Sequence, residues 1–189
     1  MPRMHPSSLL SALKYCSCDL VASDLRQIPN TQEVFLSPDS DVSFVVEILQ
    51  RVDANDDENA VKYGLSFLPD RFVNPMDRFH FDSLAHDNSA TLQEILHTVL
   101  PSETQKSLPP ATPHPIMLVG QQEVQKFHGS TSDRVNILMA LYRVEAKGVD
   151  IVFTANVPKH SGEEALRKTK QVFNIAADSF RISDFGLFA

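Results

Sequence analysis

Apolar and polar positions change rhythm several times along this chain, and each change predicts an element. Glu33 to Leu36 reads as a short strand, and the turn residues SPDSD follow it. Next, Phe44, Val45, Ile48, Leu49 and Val52 recur at helical spacing. The expected element is a helix N-capped by Asp41, with Glu47, Gln50 and Arg51 toward solvent. The acidic run DANDDE, Asp53 to Glu58, predicts a loop leading into a second helix that includes Ala60, Val61 and Tyr63.

Further on, Thr91 and Glu94 have capping-box spacing, and Leu92, Ile95, Leu96 and Val99 form a stripe ended by Pro101, so another short helix is expected. LPPATPHP is too rich in proline for a central strand and predicts an extended connector. PIMLVG and EVQKFH read as strands. NILMALYRVEAKGVDIVFTANVP reads as two long strands around a turn at Ala146 to Gly148, the expected centre of the sheet. Ser161 and Glu164 suggest a second capping box before a long helix packed through Leu166, Val172, Phe173, Ala176 and Phe180. The tail RISDFGLFA is expected to add a last strand and an apolar anchor. Long adjacent antiparallel strands with helices before and after them predict an α+β sandwich.

Composition narrows what such a sandwich can do. With 189 residues, 42% of them hydrophobic, one domain spanning 1–189 is expected. Acidic residues number 24 against 17 basic ones, and the formal charge of -7 repels nucleic acid and anionic membrane surfaces. A charge-steered partner should therefore be basic. Cys16 and Cys18 are separated by one residue, too close for an ordinary mutual disulfide, which suits a reducing compartment. No apolar run reaches membrane-spanning length, so a soluble intracellular protein is expected.

Candidate chemistry is thin. The seven histidines lack HExxH or Cys/His spacing, and no metal or other cofactor is expected. There is no GxSxG elbow, and Gly129-Ser130-Thr131-Ser132 lacks the GxxxxGK arrangement that wraps a phosphate. A hydrolase would need a nucleophile, a base and an orienter that no motif brings together.

Four stretches resemble one family. SDLRQIPNTQEVF, DVSFVVEILQRVD, ALYRVEAKGVDIVFTANVP and SDFGLFA are similar to segments of the Ran guanine nucleotide release factors, the Mog proteins. The resemblance implies an α/β/α sandwich with a central, largely antiparallel sheet, like that of PsbP-type photosystem proteins. It also implies binding to the small GTPase Ran, release of its guanine nucleotide by binding rather than covalent catalysis, and a role in nuclear protein import. Nuclear and cytoplasmic residence, a Ran-binding protein as possible helper, and a monomeric state belong to the same expectation. An adaptor that binds Ran or a membrane protein's cytoplasmic segment without driving exchange is the alternative.

The partner-binding residues this suggests are Asp24, Arg26, Gln32, Glu33, Glu47 and Gln50. Glu47 carries over an acidic position of the family's Ran-contacting face, and Gln50 stands where some members have an acid. The chain departs from the family pattern over about 1–22 and in a candidate insertion at 64–79.

Overall fold

A computed structural model describes residues 20–24, 27–52, 75–101, 112–125 and 132–188. Strands β1 (Leu20–Val21), β2 (Gln32–Leu36) and β3 (Ser43–Gln50) precede helix α1 (Pro75–Asp87). Strands β4 (Ala90–Val99), β5 (Ile116–Gln125), β6 (Ser132–Val144) and β7 (Val149–Pro158) follow, and helix α2 (Gly162–Ser179) comes last. The strands form one seven-stranded sheet in the order β1-β2-β3-β7-β6-β5-β4. Every neighbouring pair is antiparallel. The two helices pack on opposite faces, and the sandwich expected from the sequence is the fold observed.

The β6–β7 hairpin lies at the centre, as its pattern predicts. A 3-10 turn at Glu145–Lys147 joins its strands, and Gly148 closes the turn at φ 60, where a side chain would be strained. On the α2 face, Phe153 stacks between Phe44 at 6.0 Å and Phe173 at 4.8 Å. The buried Tyr142 hydroxyl donates to the Ala177 carbonyl at 2.8 Å, satisfying a polar atom inside this core. The α1 face has a smaller core in which Phe81 meets Leu118, Ile137, Met139 and Val152.

Two expected helices are strands. Phe44, Val46 and Ile48 belong to the α2-face core, while Leu49 and Val52 belong to the α1-face core. A strand with both faces covered carries apolar side chains at neighbouring positions, and these can fall by chance at helical spacing. Three β-branched residues, Val45, Val46 and Ile48, favour the pleated backbone, and the ladder to β7 runs unbroken from Ser43–Asn156 to Gln50–Val149. Asp41 lies in the β2–β3 turn and caps no helix.

The Thr91–Pro101 segment is likewise β4, not a helix. Register shifts beside Thr91 and Leu96 move its apolar residues onto both faces, which produces the misleading spacing. Thr91 Oγ1 donates to the Glu123 carbonyl across the sheet instead of to a helix N-terminus.

Smaller differences follow the same logic. PIMLVG and EVQKFH contribute to the single strand β5. Ser161 precedes α2 without a side-chain capping bond, and Glu164 instead pairs with Arg167 at 2.7 Å. The tail forms a 3-10 turn, Phe185–Phe188, rather than a strand, although both phenylalanines pack on the core as anchors. The expected helix around Ala60, Val61 and Tyr63 lies outside the described residues. Pro75 occupies the first position of α1, where its missing N–H costs nothing, so the end of segment 64–79 forms the first turn of that helix.

Gly120 sits where β4, β5 and α1 converge. A Cβ there would come within 2.5 Å of Phe81 Cζ and 2.8 Å of the Glu94 carbonyl oxygen. Gly120→Ala is expected to lower stability by about 1–3 kcal/mol, the usual range for overpacking. Thermal unfolding should show this, and Phe81→Leu in the Gly120→Ala background should cost less than the two single losses added.

Candidate partner-binding site

The register places the suggested binding residues on both sides of the sheet. Gln32 lies opposite Glu47, and its Nε2 donates to Glu47 Oε1 at 2.7 Å. This pair faces the α1 side, as does Leu49 two residues further along β3. Glu33 lies opposite Val46 on the α2 side, and its Oε1 is buried without a hydrogen-bond partner. Gln50 is exposed on that same side, opposite Val149. A helix would have brought Glu47 and Gln50 onto neighbouring positions, but the observed strand turns them to opposite faces. Asp24 is exposed in a 3-10 turn after β1, and Arg26 lies outside the described residues.

Glu47 is half-buried, not on an open solvent face. Burial pushes its carboxyl above the ordinary range, the Gln32 hydrogen bond pulls it down, and the charge of Asp87 pushes it up again. His80 exerts a smaller downward pull. Asp87 and His80 both belong to α1, so this helix sets the electrostatics around a strand residue it does not follow directly in sequence.

His80 also joins a polar network that no sequence motif announces. Its Nε2 lies 2.9 Å from Oδ2 of Asp150, whose residue exposure is 0%. Arg143 Nε donates to Asp150 Oδ1 at 3.3 Å, and the Val52 N–H donates to Oδ2 at 3.3 Å. The Arg143 guanidinium also donates to the Val52 carbonyl. Burial pushes the Asp150 carboxyl up, but the His80 hydrogen bond and the Arg143 charge outweigh it and hold the group below its ordinary range. Arg143 and Asp150 are direct cross-strand neighbours, so the available signal was an opposite-charge pair inside an otherwise apolar hairpin.

A second polar region opens at the other end of the central strands. A cavity of about 450 Å³ is lined by Glu123, Ser132, Asp133, Arg134, Lys159 and His160. Both His160 nitrogens meet carboxylates, Nε2 with Asp41 at 2.6 Å and Nδ1 with Asp133 at 3.0 Å. Ser132 donates to Glu123. In this geometry His160 has no free nitrogen to take a proton from Ser132, so the two do not form a nucleophile–base pair. Among the described residues, no group of three or more His, Cys, Asp or Glu is arranged to hold a metal ion. No described helix is long and apolar enough to cross a membrane.

Buried Asp150 and half-buried Glu47 should respond oppositely to pH. Asp150→Ala leaves Arg143 and His80 without their shared acceptor and is expected to cost about 3–5 kcal/mol at neutral pH. Because the folded carboxyl is held low, its contribution is present above the ordinary carboxylate range and fades as pH falls through it. For Glu47 the folded carboxyl is held high, so the folded state binds the proton more tightly and stability declines as pH rises through that range. Glu47→Gln should therefore stabilise the protein at pH 7 by less than about 1 kcal/mol, given its partial exposure, with the gain vanishing in acid. Melting curves from acid to neutral pH check both signs.

Comparison with known proteins agrees with this fold. The family described as Ran-interacting Mog1 protein matches residues 18–158. The Ran guanine nucleotide release factor of Danio rerio is 28% identical over 180 residues, covering 88% of this chain and 88% of that protein. The Bos taurus protein of the same name is 26% identical over 164 residues, covering 86% of this chain and 77% of its own length. The crystal structure of the Saccharomyces cerevisiae Ran-binding protein Mog1p superposes with a TM-score of 0.63 at 21% identity. That match spans 90% of this chain and 88% of the yeast chain.

Proposed function

The chain belongs to the family of Ran-interacting Mog1 proteins, and from that membership we propose that it binds the GTPase Ran and promotes release of guanine nucleotide. The family match over residues 18–158 carries this reading, supported by relatives named Ran guanine nucleotide release factors. The formal charge of -7 suits a basic partner surface. The reading extends to a role in nuclear protein import, with residence in nucleus and cytoplasm.

Its action on Ran is conformational. A protein that binds nucleotide-free Ran more tightly than nucleotide-bound Ran must, by linkage, weaken nucleotide affinity by the same factor. Glu47 is the chosen contact because Gln32 fixes one carboxylate oxygen while burial and Asp87 leave the charge poorly compensated. A lysine or arginine from the partner would supply that compensation, so the energy withheld in the free protein becomes binding energy. Gln50 on the other face belongs to a different surface.

Release of a fluorescent guanine nucleotide from purified Ran is the direct test, with acceleration expected at saturating protein. Saturable binding without acceleration would leave the adaptor reading in its place. Charge reversal at Glu47 would set a lysine in a half-buried position beside Gln32, so the isosteric Glu47→Gln is the cleaner probe. It should weaken Ran binding by roughly tenfold or more, the scale of a charged hydrogen bond at about 1.5–3 kcal/mol. Gln50→Lys should change affinity less than about twofold, and calorimetric titration of both variants checks the contrast.

A further inference from the structure

The polar cavity lined by Glu123, Ser132, Asp133, Arg134, Lys159 and His160 engages its carboxylates more completely than its cations. Glu123 accepts from Ser132 through Oε1, and its Oε2 lies 3.8 Å from the Arg134 guanidinium. Asp133 and Asp41, the latter from the β2–β3 turn, hold the His160 ring between them. A bare nitrogen lone pair would repel a carboxylate, so in this geometry both ring nitrogens donate and the imidazole is positively charged. His160 thus occupies two acids at once.

The cations beside it are less well served. The β6–β7 ladder reaches its last pair at Val135–Pro158, so the next residues on the two strands, Arg134 and Lys159, stand side by side. Opposite charges stabilise such neighbouring positions and like charges destabilise them. Arg134 has only the long contact with Glu123, and among the described residues no carboxylate reaches the Lys159 ammonium. Two adjacent positive groups therefore open into one cavity of about 450 Å³ with most of their donors unused.

We propose that this cavity binds a phosphate monoester or free phosphate, with the Arg134 guanidinium and the Lys159 ammonium as its ligands. A dianion neutralises both neighbouring cations at once, and its several oxygens accept from the planar guanidinium fork and from the ammonium together. Ser132 gives its one proton to Glu123 and adds no donor. His160 acts as a positioning residue: by holding Asp41 and Asp133 it keeps those carboxylates from pairing with the two cations in place of the ligand. Both ligands are partly or fully exposed, so affinity is modest and falls as salt rises. Glu47 pairs with Val152, well before Lys159 along β7, so this site is separate from the Ran contact.

Titration of the isotope-labelled full chain with inorganic phosphate and, separately, with O-phosphoserine should shift the amide resonances of Arg134, Lys159 and His160 saturably, with a Kd of about 1 mM for the better ligand. Tighter binding of phosphoserine identifies a phosphorylated protein as the source, and tighter binding of phosphate identifies the free ion. Lys159→Gln and Arg134→Gln should each raise Kd by about tenfold, the loss of one charged ligand. His160→Gln should also weaken binding although it removes no ligand, and Asp133→Asn in that background should restore part of it. Melting curves confirm that each variant is folded. No saturable shift up to about 20 mM of either probe overturns the proposal. So does binding unchanged by both Lys159→Gln and Arg134→Gln, or acetate binding as tightly as phosphate. These titrations contain no Ran, so either reading can fail without the other.

Discussion

A carboxylate with no solvent exposure holds this molecule's layers in register. Asp150 lies inside the central hairpin and accepts from β6, from Val52 two residues beyond β3 and from α1. Four polar groups thereby constrain one another, with Asp150 and His80 shut off from water and Arg143 only partly exposed. Breaking such a network leaves buried charge behind, whereas complete satisfaction makes the arrangement specific. The position of α1 follows from it, because His80 has its acceptor only when the helix lies across the sheet in this rotation. Phe81, the next residue, then reaches Gly120 in the smaller core.

The central hairpin and α2 were legible because each has one dominant environment. Strands β6 and β7 are long apolar runs buried on both faces and joined by a tight Lys-Gly turn, which leaves little choice of element. The apolar positions of α2 converge on one buried stripe at Val172, Phe173 and Ala176. Strands β3 and β4 were misread for different reasons. In β3 both faces are covered, and covering removes the alternation that identifies a strand. In β4 the bulges break the alternation even though much of the strand is exposed. Helical spacing therefore arose once from burial and once from register shifts, neither of which local propensity records.

The candidate site was legible residue by residue but not as a surface. Gln32 and Glu47 are fifteen positions apart and meet through strand register, which depends on the long-range pairing of β2 with β3. Glu47 and Gln50 are close in sequence and on opposite faces, so proximity along the chain misleads as soon as the element changes from helix to strand. His80 and Asp150 are seventy positions apart, and neither belongs to a motif with recognisable spacing. Their importance comes from burial alone.

The two ends of the sheet are built unequally. Among the described residues, one edge of the sheet is β1, Leu20–Val21. The other is β4, ten residues long with apolar side chains exposed. Glu47 sits on β3 near the short edge, and β7, β6 and β5 separate it from β4. At the usual strand spacing, that is about 19 Å across the sheet. The Asp150 network holds α1, with Asp87 and His80, against the face that Glu47 and Gln32 present, so the electrostatics of the partner site rest on a carboxylate buried one layer away from it.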